Sequence, residues 1–503
     1  MQANETVNRQ GKPFYISGDT TIGWKFKNTY AGLPGVLFSQ NLPTPVAQPA
    51  PVIINYTLAN ELGLNINPHN LPDLTLQLSG NALPPGSCPI AQAYMGHQFG
   101  YLNLLGDGRT ILLGEQEAPG GQLFDVQLKG SGPTKYSRRG DGRATLSACL
   151  REYIISEAMH HLGIPTSRGL AVVASGEPVY RELPQEGGLL TRIMQSHIRV
   201  GTFEFATRHL DRDGFNNFLH YVLNRHYPEI TNHPRAALAL LEAVMERQAN
   251  LVVEWMRVGF IHGVMNTDNM AISGETFDYG PCAFMNHYGP ETVFSSIDTG
   301  GRYAFGNQPS IAQWNLAVLA SSLIPLIDEV PEEAVEKAKA LIQTFPHLYA
   351  GKFRAMMRRK LGLMAERPGD NLLMDDLLEW MHQAGADYTN TFWHLSLSSL
   401  PNDGLYDQEG FKLWHDRWKE RLLRNNAPDV FAIEMMQKAN PVVIPRNHLV
   451  EEALEAATLG QDFTKMQTLL EVLATPYTQR GGLDYYQQPP SGGDCGYRTF
   501  CNT

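Results

Sequence analysis

Apolar positions come in short runs between residues 110 and 194 and at helical spacing beyond residue 200. Thr110–Glu115 and Leu123–Lys129 predict two strands, separated by the turn Ala118-Pro119-Gly120-Gly121. Leu146, Leu150, Ile154, Ala158 and Leu162 form one apolar stripe, which predicts a helix that Gly163 and Pro165 stop. Leu170–Ala174, Val179–Arg181 and Leu189–Met194 return to the strand pattern. Helices are then predicted over Phe215–His226, Ala236–Val258, Ile311–Ile327, Glu332–Thr344, Asp375–Ala384, Gly410–Arg424 and His448–Ala456. A loop with a short hairpin interrupts them at Phe260–Met285. Residues 1–95, rich in Pro, Asn and Gly, predict an irregular extension wrapping a core. The tail, 478–503, is rich in Gly, Pro and Tyr and predicts a mobile end.

Strands, one helix and more strands over 96–198, followed by helices over 199–477, make an α+β chain of two lobes. That is the protein-kinase-like arrangement, a β-rich N-lobe and a helical C-lobe with nucleotide between them, and it leaves function to be argued from the site. The 503 residues exceed what one core usually accommodates. Hydrophobic residues at 43% and charged residues at 18% are ordinary for a globular chain. A net charge of −11 argues against nucleic acid or an anionic membrane as a non-specific partner. The best apolar run, Leu316–Leu326, is too short to span a bilayer and contains Ser321 and Ser322. Residues 1–21 carry no apolar signal core, so the expected location is the cytoplasm. Five cysteines in so long a chain do not make a disulfide framework. Cys88, Cys149 and Cys282 stand alone; Cys495 and Cys501 lie in the tail.

Phosphate chemistry needs cations, a metal held by hard oxygens, and a group that orients the nucleophile. Lys129 ends a strand, where a buried ammonium demands a partner; Glu152 on the next helix is the natural one and Glu157 the alternative. Gly106-Asp107-Gly108-Arg109 precedes a strand and reads as a tight turn able to bring backbone N–H groups near phosphate. Lys135 to Arg143, with Arg138, Arg139 and Arg143, reads as a solvated loop or as one that folds over polyphosphate. His262-Gly263-Val264-Met265-Asn266-Thr267-Asp268-Asn269, followed by Phe277-Asp278-Tyr279-Gly280-Pro281, has the spacing of a kinase catalytic loop and its metal aspartate. Val264 stands where a kinase carries its catalytic Asp, and Asp268 is the nearby carboxylate able to replace it. Asn269 and Asp278 offer oxygen ligands suited to Mg²⁺ or Mn²⁺. Arg192 and Arg199 bracket the lobe junction and read as phosphate ligands.

With Gln127-Leu128-Lys129-Gly130-Ser131-Gly132-Pro133-Thr134 and Arg138-Arg139-Gly140-Asp141-Gly142-Arg143, these segments resemble the SelO (YdiU) family over nearly the whole chain. The resemblance implies transfer of AMP from ATP to Ser, Thr or Tyr hydroxyls of proteins, on a kinase-like fold that binds ATP in a flipped orientation. It further implies that Lys129 with Glu152 holds phosphates, that Gly106, Gly108, Arg109, Asp141 and Gly142 contact the nucleotide, and that Arg192 and Arg199 bind the terminal phosphates. Asp268 is then the proton acceptor, and Asn269 and Asp278 the ligands of Mg²⁺ or Mn²⁺. Some members pair a Cys near the C-terminus with one after the metal aspartate; Cys501 has that place here, with Cys282 and Cys495 as candidate partners. The competing readings are an ordinary phosphotransferase and a non-catalytic nucleotide-binding protein.

Overall fold

The computed structural model describes residues 22–98, 100–494 and 496–500, together with the backbone of 6–7 and 13–16. The strands that build the N-lobe sheet are β1 (Phe38–Gln40), β2 (Ala50–Ile54), β3 (Ile90–Gln92), β6 (Thr110–Glu117), β7 (Leu123–Lys129), β8 (Arg168–Tyr180) and β9 (Pro184–Met194). They pair antiparallel in the order β1-β3-β6-β7-β9-β8-β2, and the short strand Ala144–Thr145 pairs with β9. A separate hairpin, β4 (Met95–Gln98) with β5 (Tyr101–Leu104), projects from the sheet toward the C-lobe.

Both edges of the sheet come from the first 95 residues, which corrects the expectation of an extension that merely wraps. The same segment also builds a second core. Its helices α1 (Tyr56–Glu61) and α2 (Leu71–Leu78) bring Leu58, Leu62, Leu74 and Leu78 against Ile111, Leu113, Val126, Leu128 and Val173. Helix α3 (Leu146–His161) covers the other face, begun by the Thr145 side chain accepting from the Ala148 N–H at 3.2 Å. Because alternate residues of a strand point to opposite faces, Val126 and Leu128 enter the second core while Asp125, Gln127 and Lys129 turn the other way. The two predicted strands 170–174 and 179–181 are one strand, β8, irregular where Gly176 takes a left-handed φ of 69°.

Below the sheet lie α4 (Val200–His209), α5 (Arg212–His226), α6 (Ala236–Val258), α7 (Gln308–Ile327) and further helices to Leu473. By length and composition Phe305–Ile327 would suffice for a membrane span, contrary to the expectation from the sequence. It packs against α4, α6 and the helix Pro331–Ile342 as part of the C-lobe core. Its polar residues hold the loop that begins at Phe260: Gln308 Nε2 donates to Phe260 O (2.9 Å), the His262 N–H to Gln308 Oε1 (3.0 Å), and Asn315 Nδ2 to Met265 O (2.9 Å). The tail, expected to be mobile, lies along this lobe. Asn286 donates from N and Nδ2 to the Asp494 carboxylate (3.0 and 2.6 Å), and the Thr499 N–H to Phe294 O (2.8 Å). Cys495 and Cys501, and with them the pairing implied for Cys501, lie outside the described residues.

Candidate active site between the lobes

Lys129 and Arg192 lie on neighbouring strands, β7 and β9, and both meet the Glu152 carboxylate on α3. Lys129 Nζ is 2.5 Å from Glu152 Oε2, and the Arg192 guanidinium is 2.6 Å from Glu152 Oε1. Glu157, the alternative partner, is held instead by Arg168 at 2.7 Å. Asp278 closes the cluster from the C-lobe, its Oδ1 2.6 Å from Lys129 Nζ and 3.3 Å from Arg192 Nη2. Burial would push both carboxyls up. The two cations outweigh it: Arg192 and Lys129 bring Glu152 below its usual range, and Lys129 and Arg192 hold Asp278 well below its own. Asp278 is therefore ionised across physiological pH. Its backbone is left-handed at φ 62°, a conformation that Asp and Asn tolerate better than other side chains.

Asn269 donates from Nδ2 to Val264 O at 3.1 Å, which leaves its amide oxygen for another partner. Asp278 Oδ2 makes no hydrogen bond among the described residues. Both residues line the same cavity, so the site offers one amide oxygen and one carboxylate oxygen. That donor set fits Mg²⁺ or Mn²⁺, which take a few protein oxygens and complete their shell with water and phosphate. Asp268, beside Asn269, has a carboxyl oxygen enclosed without a hydrogen-bond partner, against Gly96 of the β4–β5 hairpin. Burial pushes its carboxyl up to about 7, the range of a group that exchanges protons near neutral pH.

The cavity, about 450 Å³, is lined by Gly106, Gly108, Arg109, Lys129, Asp141, Gly142, Arg192, Arg199, Asp268, Asn269 and Asp278, while Glu152 is buried behind it. Arg199, the residue before α4, stacks over the Tyr94 ring at 4.0 Å and donates to His197 O (2.9 Å) and Asp268 O (3.1 Å). Phe277 packs beneath both Arg199 and Arg192, 5.0 and 5.6 Å from their guanidinium carbons. The left-handed Gly106, φ 99°, is overlain so closely by Tyr136 that a Cβ would strike the ring. In the basic loop the residues divide. Arg143 is turned away from the cavity centre toward Thr44 O, Pro45 O and Glu177, so it is no phosphate ligand in this arrangement. Asp141 is paired with Arg181 at 2.9 Å. Arg138 and Arg139 stand exposed at the rim.

Three contributors were not legible as such. Tyr94 falls in what reads as an irregular extension. Asp107 hides between two turn glycines, yet its carboxylate is buried, accepts from the Gln92 N–H (3.0 Å) and lies 3.8 Å from Arg199. Gln127 looks like an ordinary strand polar residue, yet accepts from Arg192 at 3.2 Å. A second cavity, about 560 Å³, opens on the far side of Asp278 and is walled by Arg151, Glu451 and the tail residues 496–500.

The family described as "Protein adenylyltransferase SelO" matches residues 25–474. The chain is 52% identical over 482 residues to "Protein nucleotidyltransferase YdiU" of Nitrosococcus oceani, which covers 96% of this chain and 98% of that one. Against the protein of the same name in Bacillus cereus it is 51% identical over 488 residues, 97% of this chain and 100% of that one. A solved structure, ROP2 from Toxoplasma gondii, described as "A virulence factor with a protein- kinase fold and no enzymatic activity", is similar over 67% of this chain and 88% of its own. At 10% identity and a TM-score of 0.24 that similarity is too remote to bear on the site. The chain belongs to the SelO family and is a nucleotidyltransferase.

Proposed function

We propose that the protein transfers AMP from ATP to Ser, Thr or Tyr hydroxyls of other proteins and releases pyrophosphate. The observation that carries this reading is the burial of Arg192 and Arg199 at the lobe junction, where an ordinary kinase receives its nucleotide base. Guanidinium groups held there by Glu152 and by the His197 and Asp268 carbonyls are pre-positioned donors that suit phosphate oxygens. With the β- and γ-phosphates held by Arg199, Arg192 and Arg109, the α-phosphate rests at Lys129, and ribose and base extend toward Asp141 and Gly142.

The acceptor oxygen forms a bond to the α-phosphorus as the bond to the bridging β-phosphate oxygen breaks, in line. The hydroxyl proton passes to Asp268, since Val264 offers no carboxylate. Lys129, Arg192 and Arg199 take up charge on the departing pyrophosphate, and Glu152 keeps the first two in place. A Mg²⁺ or Mn²⁺ ion on Asn269 and Asp278 would supply Lewis-acid stabilisation of the phosphate oxygens. An acidic chain acting on proteins and ATP fits a cytoplasmic setting.

Three variants bear on this assignment. Asp268→Asn keeps shape and loses the proton acceptor, so transfer is expected to fall ~10²–10⁴-fold with ATP binding retained. Lys129→Met and Arg192→Ala each remove a charge-assisted contact worth ~1.5–3 kcal/mol and should weaken ATP binding by calorimetry accordingly. Intact-mass spectrometry of an acceptor protein tests the reaction itself. A gain of one adenylyl group on a hydroxyl residue is expected; a gain of one phosphoryl group contradicts it.

A further inference from the structure

The loop 135–143 carries more positive charge than the cleft absorbs. Its framework is pinned. Thr134 Oγ1 donates to Asp107 O at 2.5 Å, Ser137 Oγ to Gly108 O, and the Gly140 N–H to Ser137 O at 2.7 Å. Arg143 pairs with Glu177, and Asp141 with Arg181. Lys135, Arg138 and Arg139 are the exceptions: all three are exposed, and their side chains form no hydrogen bond or ion pair among the described residues. Arg138 is set outward on a left-handed residue, φ 55°.

Three cations without a partner among the described residues, on a loop pinned by hydrogen bonds and in a chain of net charge −11, form a local reversal of the molecule's own field. Arg138 and Arg139 sit at the rim of the nucleotide cavity, with Lys135 beside them on the same loop, and the interior already supplies Arg109, Lys129, Arg192 and Arg199. Exposed cations are screened and add little to a polyphosphate already met inside. They act well together on an extended partner. The neighbouring tip of the β8–β9 hairpin exposes Tyr180 and Leu183, at 70% and 71%, and Arg181 ties it to the loop through Asp141 and Arg143 O. Unpaired arginines beside apolar side chains are the composition of a protein-docking surface.

From this we infer that Lys135, Arg138 and Arg139 form a docking surface for an acidic segment of the acceptor protein, which lies close to the hydroxyl to be modified. The inference rests on the proposed protein acceptor. The net negative charge disfavours an acidic partner over the surface as a whole, so a basic rim both attracts such a segment and sets its direction into the cleft.

The test uses the full chain, fluorescent peptides with one central Ser flanked by Glu, by Gln or by Lys, and the charge-reversed variants R138E/R139E and K135E. Wild type should bind the Glu-flanked peptide ~10-fold more tightly than the Lys-flanked one by anisotropy at low salt, with the margin shrinking as salt rises. R138E/R139E should abolish or reverse that order and K135E weaken it, while calorimetric ATP affinity stays within ~2-fold. Because anisotropy reads binding without turnover, failure of adenylyl transfer with the preference intact would sink only the proposed reaction. Equal binding of all three peptides overturns the docking surface. So does weaker ATP binding by R138E/R139E with unchanged peptide preference, which would give the rim to the nucleotide. Selective capture of a short single-stranded RNA over the acidic peptide would overturn it too.

Discussion

Asp278→Asn is expected to lower transfer at least ~10³-fold while the protein stays folded. The substitution keeps the side-chain volume and the left-handed backbone that Asp278 adopts, so neither a cavity nor strain is introduced. Lys129 and Arg192 keep Glu152 as a partner, which limits the effect on stability. What is lost is the charged oxygen proposed to hold the metal against the phosphates. Stabilisation of that kind is worth several kcal/mol, and each 1.36 kcal/mol is tenfold in rate. Turnover and thermal melting, measured on the same preparation, decide it. Near-normal turnover would remove Asp278 from the metal site, and a collapsed melting temperature would make it a folding residue.

The second large effect concerns the frame of the cleft. Gly142 has φ 67°, and a Cβ there would overlap the Gly132 carbonyl carbon and oxygen and the Pro133 nitrogen. All three are backbone atoms of one peptide unit, so there is no side chain to move aside. Gly142→Ala is therefore expected to destabilise by ~2–5 kcal/mol, combining the left-handed penalty with overpacking. Melting should drop by several degrees even without nucleotide. Gly140→Ala is the control: its nearest neighbour is Ser137 O at 3.2 Å, its φ is not positive, and its melting should barely move. Equal melting of the two variants would show that Gly142 is chosen for the ligand and not for the packing of the loop.

How far the sequence could be read depends on how local each signal is. The stripe 146–162 and the strand 123–129 recur as α3 and β7 nearly residue for residue, because their periodicity and stops are contained within each element. The edge strand β1 and its neighbour β3 are three residues each and owe their shape to neighbours across the sheet, so nothing near them in sequence announces a strand. Phe345–Lys360 was obscured by Pro346, which a first helical turn tolerates, and by Gly351 within it. Val200–His209 carries Gly201 in its first turn, where the helix accommodates Met95 O of the hairpin. In the site, Lys129, Arg192 and Asp278 stood out because charges in apolar strands and Asx in a catalytic loop are costly unless used. Glu152 as partner needed only spacing along one helix. Asp107 and Tyr94 did not stand out, since their significance lies in meeting Arg199, a contact across about a hundred residues. The contact of the tail with the C-lobe was hidden for the same reason: Asp494 accepts from Asn286.

The choice of phosphorus is the central claim, and ATP labelled on either the α- or the γ-phosphate reads it directly. Wild-type protein is incubated with Mg²⁺ or Mn²⁺ and a mixed protein acceptor, and radioactivity in the protein fraction is counted against released pyrophosphate. Incorporation of the α-label, matched mole for mole by pyrophosphate and absent with γ-labelled ATP, is the predicted result. Incorporation of the γ-label alone would contradict it and make the protein a phosphotransferase.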